Sequence, residues 1–282
     1  MVPHAWPEAW GEAPDDRPIN LLPLFEGDSA GRTPGWCSYT DRMSDSPEVE
    51  VFCGGINSKT PTAGAIWRQG NLLHFGFDLS PTEMNEAGRS ILVDAIAYIA
   101  RFTEDRPIMR TPSPFAGQEF LSRPRIERYM KNRDALYWEL IQSHFVRSTL
   151  ERAGAKSLDK FREWYPGVRE YLHPDDDGRL TVDEVAKEAG VDVSRLEFFD
   201  KAIAALAEPA DTAQRARDLL ARYAPDGPGR DASAATWAAW KESNRDYLFF
   251  GEAGGYRWYI DPLAKIRGVS TAKLRGPARA SR

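Results

Sequence analysis

The chain has 282 residues and a formal net charge of −5, with 37 Lys and Arg residues against 42 Asp and Glu residues. A net negative charge excludes the general attraction that basic proteins have for nucleic acid. No apolar run approaches the ~20 residues that a membrane-spanning helix requires. We therefore predict neither a nucleic-acid partner nor a membrane partner.

The two cysteines, Cys37 and Cys53, are too few for a disulfide framework and lack the spacing of a metal site. The sequence leaves open both a disulfide between them and two unreactive thiols. The residues after Met1 lack the charged and then apolar pattern of a signal peptide. The sequence as given therefore predicts a cytoplasmic protein, whereas a natural start upstream of Met1 would predict an exported one.

Residues 1–47 are rich in proline and glycine, and they predict an irregular N-terminal arm. Their one apolar run, residues 19–25, follows Pro18 and contains Pro23. Because proline cannot donate a backbone hydrogen bond, we expect at most an edge strand there.

An α/β module is predicted over residues 48–105. Apolar and charged residues alternate at the start of 49–53, which indicates a strand. Gly70 and Asn71 then predict a tight turn between two further strands, because glycine takes a positive φ without steric cost and asparagine tolerates one.

A helix is predicted to follow these strands and to cover them. Ser80 suits the N-cap, Pro81 suits the first helical position, and Glu83 could close a capping box. Apolar residues then recur at three- and four-residue steps as far as Phe102, which predicts one buried face.

Residues 106–121 contain three prolines and predict a linker. Residues 122–262 predict a helical domain that begins with one long helix over 122–147 and is closed by a β-hairpin of aromatic strands. Residues 263–282 carry six basic residues and no acidic residue, so they predict a basic, flexible tail.

An acidic loop that begins at His173 matches most of a calcium-binding EF-hand pattern. Asp175 and Asp177 fall on its third and fifth positions, and Glu184 falls on the twelfth. His173 stands at the first position, where calcium prefers a carboxylate oxygen. A second interpretation is an acidic turn before a capping box of Thr181 and Glu184. We predict no metal, with calcium at Asp175, Asp177 and Glu184 as the alternative.

Two further groups of residues raise the possibility of an enzyme. Cys53 precedes a pair of glycines, as a nucleophile on a turn does, and His74 on a neighbouring strand could act as its base. A buried structural thiol is the other interpretation. An aromatic cluster could stack on sugar rings or form a core; it comprises Trp237, Trp240, Trp258 and Tyr259.

Three stretches resemble uncharacterised bacterial proteins. They begin at Trp67-Arg-Gln-Gly-Asn, Ser80-Pro-Thr-Glu-Met and Asp94-Ala-Ile-Ala-Tyr, and residues 231–261 also resemble the end of those proteins. Their segment is similar to the closing part of a ThuA-like domain, which is related to class I glutamine amidotransferases. The resemblance implies a partial flavodoxin-like α/β module, followed here by the helical domain and its C-terminal β-hairpin.

The resemblance also implies that the chain is the C-terminal part of a longer protein. The region that would carry a nucleophile lies upstream of the matching stretches, so no catalytic residue is carried over. We predict a non-catalytic binding or assembly module with a protein partner or self-association and no cofactor. The alternatives are a hydrolase or carbohydrate-acting enzyme and a calcium-binding protein.

Overall fold

The computed structural model describes residues 2–4, 19–21, 24, 35–38, 46–57, 60–108, 120–131, 135–252 and 254–275. The chain divides into two compact units. Unit 1 comprises residues 1–41 and 48–107, and unit 2 comprises residues 42–47 and 108–282. Most of the predicted arm therefore belongs to unit 1, and most of the predicted linker lies outside the described residues.

A three-stranded antiparallel sheet forms the centre of unit 1, in the order β3–β4–β5. The strands span Val49–Asn57, Thr60–Gln69 and Leu72–Phe75. The turn between β4 and β5 is the predicted one, with Gly70 at a φ of +58°. A side chain at Gly70 would collide with the backbone of Arg106, so this position requires glycine.

The N-terminal arm contributes two short strands to unit 1. β1 spans Val2–His4 and β2 spans Ile19–Leu21, and they pair antiparallel. The backbone of Ser38 pairs with Gly64 of β4 through two hydrogen bonds of 3.0 and 2.7 Å. The arm therefore includes a short strand within the predicted apolar run, in a separate two-stranded sheet, and it contacts the central sheet through Ser38.

The helix of unit 1, α1, spans Glu86–Ile99 and begins five residues later than predicted. Asn85 is its N-cap, because the side-chain oxygen accepts a hydrogen bond from the Gly88 amide at 2.9 Å. The Ser80 amide does donate to the Glu83 carboxylate at 3.0 Å. That contact closes a separate turn before α1, so the predicted helix start at Ser80 is wrong.

Unit 2 is mostly helical. The region of the predicted long helix contains two helices, α2 and α3, and residues 132–134 between them lie outside the described part of the chain. The helices before the closing hairpin are α2 (Arg123–Lys131), α3 (Ala135–His144), α4 (Arg147–Arg152), α5 (Leu158–Trp164), α6 (Glu184–Glu188), α7 (Glu197–Ala205), α8 (Ala210–Tyr223) and α9 (Ala234–Asn244).

Two antiparallel hairpins complete unit 2. β6 (Leu172–Pro174) pairs with β7 (Leu180–Val182) around the acidic loop, and the sequence analysis did not predict this hairpin. β8 (Leu248–Gly251) pairs with β9 (Arg257–Ile260) and forms the predicted aromatic hairpin.

Aromatic side chains form much of the two hydrophobic cores of unit 2. Phe161 is fully buried at the centre of the first core. Its ring lies 5.3 to 6.0 Å from four other aromatic rings, which are those of Trp138, Phe145, Trp164 and Tyr165. The second core surrounds Phe199 and Trp237, both fully buried, and includes Trp258.

The C-terminal residues fold onto unit 2 where the sequence predicts a flexible tail. α10 spans Pro262–Arg267 and α11 spans Thr271–Arg275. The buried Asp261 carboxylate accepts a hydrogen bond from the first turn of α10 and two from Arg275, at 2.7 and 2.8 Å. The prediction of a flexible tail is therefore corrected for residues 263–275, because this ion pair fastens α11. Residues 276–282 lie outside the described residues.

The fold is a mixture of helices and small antiparallel sheets, which agrees with the α/β plus α class in general terms. All the named strand pairs in the described part of the chain are antiparallel. Flavodoxin-like sheets consist mainly of parallel strands. The flavodoxin-like part of the prediction therefore stays a prediction.

Candidate functional site

The structure does not bring Cys53 and His74 together. Cys53 lies on β3 and His74 on β5, and β4 pairs with both strands and lies between them. Because neighbouring strands are ~4.8 Å apart, the two backbones are separated by roughly 10 Å. The Nε2 atom of His74 lies 2.9 Å from the Trp36 carbonyl oxygen, and the ring packs against Trp67. His74 is therefore a packed residue and not the base of a Cys53 nucleophile.

Both cysteines are free thiols in the structure. Burial raises the pKa of Cys37, and burial is also the main reason that the pKa of Cys53 is raised. A thiol with a raised pKa carries little thiolate at neutral pH, and the thiolate is the nucleophile. Cys53 is thus a half-buried strand residue with no feature of an activated nucleophile.

Two of the three residues of the calcium alternative, Asp175 and Glu184, have carboxylates engaged in different contacts. The Asp175 carboxylate accepts hydrogen bonds from the backbone amides of Asp177 and Arg179, at 3.0 and 2.8 Å, and closes the β6–β7 loop. Glu184 forms an exposed ion pair with Lys187 at 3.3 Å. Within the described residues, no group of three or more His, Cys, Asp or Glu side chains could hold a metal ion. Calcium binding stays an untested alternative.

Asp183, which the sequence analysis overlooked, is the polar centre of this region. Its buried carboxylate accepts two backbone hydrogen bonds of 3.1 Å from the first turn of α6. It therefore caps α6 in place of the predicted Thr181, which lies in β7. The same carboxylate accepts a hydrogen bond from the Tyr223 hydroxyl at 3.0 Å and forms an ion pair with Arg222.

His173 lies beside this cluster and is also mostly buried. Its ring lies edge-on to Tyr223, with 6.5 Å between the ring centroids, and its Nδ1 atom is 2.8 Å from the Pro174 carbonyl oxygen. Burial lowers the pKa of His173, and the nearby positive charge of Arg222 lowers it further. These contacts suit a neutral imidazole. The ring extends from β6 and packs against Tyr223 of α8.

The aromatic cluster proposed for sugar binding is largely interior. Trp237 is fully buried and lies edge-on to Trp240 at 5.6 Å between centroids. Trp258 is also buried, and its indole nitrogen donates to the Val193 carbonyl oxygen at 2.9 Å. Tyr259 stacks on Phe249. Buried rings cannot stack on a sugar from solvent, so the core interpretation of this cluster is the one that the structure supports.

The β8–β9 turn contains a strained residue, and one of its carboxylates forms a buried ion pair with the first residue of α2. The Arg123 Nε atom lies 2.5 Å from a carboxylate oxygen of Glu252, and both side chains are almost entirely buried. Tyr256 has a φ of +54°, and its hydroxyl donates to the Leu121 carbonyl oxygen at 2.7 Å. Strain of this kind often marks a functional site. Here the same contacts join the turn to the start of α2, which gives the strain a structural reason.

A buried ionic cluster also joins α1 to the sheet of unit 1. Arg68 pairs with Glu50 at 2.6 Å and with Asp105 at 3.2 Å, and its guanidinium carbon lies 3.8 Å above the centre of the Phe102 ring. The Tyr98 hydroxyl of α1 donates to Glu50 at 2.8 Å. These charged and hydroxyl groups bond to one another. The cluster therefore has a structural role, in which it stabilises the contact between α1 and the sheet.

Large apolar side chains remain exposed mainly on unit 1. Among the residues that the structure describes, five of the seven such side chains belong to unit 1, although it is the smaller unit. The five are Trp36, Phe52, Leu72, Val93 and Ile96, and the two on unit 2 are Leu136 and Ile266. Groups of exposed apolar side chains often mark interaction sites.

Two of these residues share one face of α1. Val93 is 63% exposed and Ile96 is 60% exposed, and residues three apart are neighbours on a helix surface. Ala97 and Ala100 are also exposed and continue the same row, Ala100 from the turn that follows α1. We call these four residues the α1 stripe. It lies opposite the face of α1 that contacts the sheet, where Ala95 is buried.

The sequence analysis assigned one apolar face to this helix and missed the stripe. A usable signal was present, because residues 91–93 and 95–100 are all apolar apart from the Tyr98 hydroxyl. A helix that is apolar on most sides is typically covered on more than one side.

Comparison with protein families, with characterised proteins and with solved structures finds no match. In the described part of the chain, no helix combines the length and the apolar character needed to cross a membrane. The surfaces and clusters of the chain itself therefore carry the functional evidence. On the α1 stripe, two large and mostly exposed apolar side chains, Val93 and Ile96, are neighbours on one helix face.

Proposed function

We propose that the chain is a binding or assembly module and that unit 1 makes the contact with its partner through the α1 stripe. The exposure of Val93 and Ile96 is the observation that carries this proposal. The ionic and aromatic clusters of both units have internal packing roles. The stripe, in contrast, presents branched apolar side chains mostly to water, where they contribute less to the stability of unit 1 than buried side chains do.

Covering the stripe would be favourable. Complete burial of a Val or Ile side chain contributes about 1.5–3 kcal/mol, and both residues are more than half exposed. The pair therefore offers about 2–4 kcal/mol to a partner, before the entropic cost of association. This free energy is enough for a reversible contact. A permanent complex requires further contacts.

The sequence resemblance suggests one source of such a partner. If the chain is the C-terminal part of a longer protein with a ThuA-like segment, other parts of that protein could complete a flavodoxin-like sheet. We include this relation in the proposal, together with association between separate chains.

Chemical cross-linking in the cells that produce the protein tests the proposal. The variant Val93→Asp/Ile96→Asp places two charges in the stripe, and Ile266→Asp changes an exposed apolar residue of α10 in unit 2 as a matched control. We expect the wild-type chain and the control to give cross-linked species heavier than 31.7 kDa. The double variant should give about tenfold less, because each charge would have to lose its water on contact.

Thermal melts of the three purified proteins show whether each variant folds. Equal yields of the heavier species from all three proteins would contradict the proposal, and so would a wild-type chain that is recovered only at the mass of the monomer.

A further inference from the structure

The α1 stripe has a size pattern that fits a second copy of itself. Its large residues, Val93 and Ile96, lie toward the N-terminal end of the helix, and its small residues, Ala97 and Ala100, lie toward the C-terminal end. Positions three, four and seven apart form one row along a helix. The row is therefore large at one end and small at the other.

We propose that α1 packs antiparallel against α1 of a second copy of this chain, about a two-fold axis between Ile96 and Ala97. This inference rests on the proposed association through unit 1. The axis places Ile96 opposite the partner's Ala97, and Val93 opposite the partner's Ala100. Each large side chain then meets a small one, as in well-packed helix pairs. A two-fold contact uses one patch twice, so the patch must be complementary to itself.

Charged residues beside the stripe fit the same arrangement. Asp94 and Arg101 are exposed on one flank of the stripe, seven residues apart. The two-fold axis keeps this flank on the same side of the helix pair and reverses its direction. Asp94 then approaches the partner's Arg101, and Arg101 approaches the partner's Asp94. The dimer gains two pairs of opposite charges that an unrelated apolar partner would not supply.

The area of the proposed contact is small, and this determines how stable the dimer should be. A pair of helices of about four turns buries less than the ~1,200 Å² typical of stable complexes. We therefore expect a reversible dimer whose population rises with concentration. The guanidinium of Arg101 lies 5.4 Å from the centre of the Tyr98 ring, which holds it near the flank of α1.

Sedimentation equilibrium of the purified full chain tests this pairing with four proteins. They are the wild type, Asp94→Arg, Arg101→Asp and the double variant with both reversals. Each single reversal turns two attractive pairs into two repulsive pairs, so dimerisation should weaken about tenfold. The double variant restores opposite charges and should dimerise within about threefold of the wild type. Thermal melts check that each variant folds, because Arg101→Asp also removes the contact with Tyr98.

A wild-type chain that stays monomeric at millimolar concentration would overturn this inference. A dimer whose strength is unchanged by the single charge reversals would also overturn it. A double variant that does not regain the dimerisation of the wild type would do the same. In each case the cross-linking experiment decides the proposed function separately. A heavier species in cells that depends on Val93 and Ile96 would leave that function in place, with a different protein on the stripe.

Discussion

Units 1 and 2 differ in the kinds of side chain that they bury. Unit 2 buries aromatic rings, and Phe161 alone contacts four of them. In its described residues, unit 1 buries few large apolar side chains and no aromatic ring, and it buries Arg68 and Asp105 between the sheet and the end of α1. Unit 1 also leaves most of the exposed large apolar side chains on its surface.

This difference is the reason that we propose a partner for unit 1. A small unit has a large surface for its volume, so it encloses a smaller share of its apolar side chains. Unit 2 is larger, and in its described residues it leaves two large apolar side chains exposed, Leu136 and Ile266. The proposed interaction is therefore assigned to unit 1.

The largest expected effect comes from the aromatic core of unit 2. Phe161→Ala removes a fully buried ring and leaves a cavity, so it should lower the free energy of unfolding by about 3–5 kcal/mol. Urea denaturation measures the loss. Ile266→Ala, at an exposed apolar residue of the same unit, should change the value by less than about 0.5 kcal/mol. A loss below about 1 kcal/mol for Phe161→Ala would mean that the core is not organised around this ring.

The next effect concerns the ionic cluster of unit 1. Arg68→Ala leaves the Asp105 carboxylate buried without this partner, and we expect a loss of about 3 kcal/mol, because removal of one partner of a buried ion pair costs 3–5 kcal/mol. Hydrogen exchange of the β4 and α1 amides would report the loss within unit 1. Arg147→Ala breaks an exposed pair with Glu151 and should cost less than about 0.5 kcal/mol. Equal effects of the two variants would contradict a buried cluster.

A smaller effect separates the hydroxyl of Tyr98 from its ring. Tyr98→Phe keeps the ring and removes the hydrogen bond to Glu50, so it should cost about 1 kcal/mol in the same exchange experiment. A change of more than about 3 kcal/mol would show that Tyr98 holds more of unit 1 together than this single bond does.

The last effect is a pH dependence in unit 2. The pKa of His173 is lowered from 6.5 in the folded protein, mainly by burial, so the unfolded chain binds the proton more readily. The stability contributed by neutral His173 is complete above pH 6.5 and falls as the pH drops toward the lowered pKa. His173→Gln should flatten the loss of stability below pH 6.5 in urea titrations. If the dependence of stability on pH is unchanged in this variant, His173 is not the cause of the loss of stability at low pH.

Local signals in the sequence predicted local structure well. Gly70 identified the β4–β5 turn, and two aromatic strand runs identified the β8–β9 hairpin. The start of α1 was wrong because both Ser80 and Asn85 can cap a helix. The choice between them depends on the surrounding fold, and the Asn85 amide bonds to the Leu24 carbonyl oxygen, far away in sequence.

Several of the features that were missed depend on contacts between distant residues. Arg68 and Asp105 are 37 positions apart, and nothing local marks either one as buried. A basic composition correctly suggests solvation for most tails, but Arg275 returns to the buried Asp261. The α1 stripe could not be assigned from periodicity alone. The period of apolar residues shows which residues share a helix face, but it does not show which other elements pack against that face.

Hydroxyl-radical footprinting tests the central claim most directly. Side-chain oxidation of Val93 and Ile96 would be compared between the protein in its cells and the purified, dilute chain, with Ile266 as the internal reference. We expect oxidation of Val93 and Ile96 to fall several-fold in cells while that of Ile266 changes little, because a partner would cover the stripe. Equal oxidation of all three residues under both conditions would contradict the account, since the stripe would then be an uncovered surface of a self-contained protein.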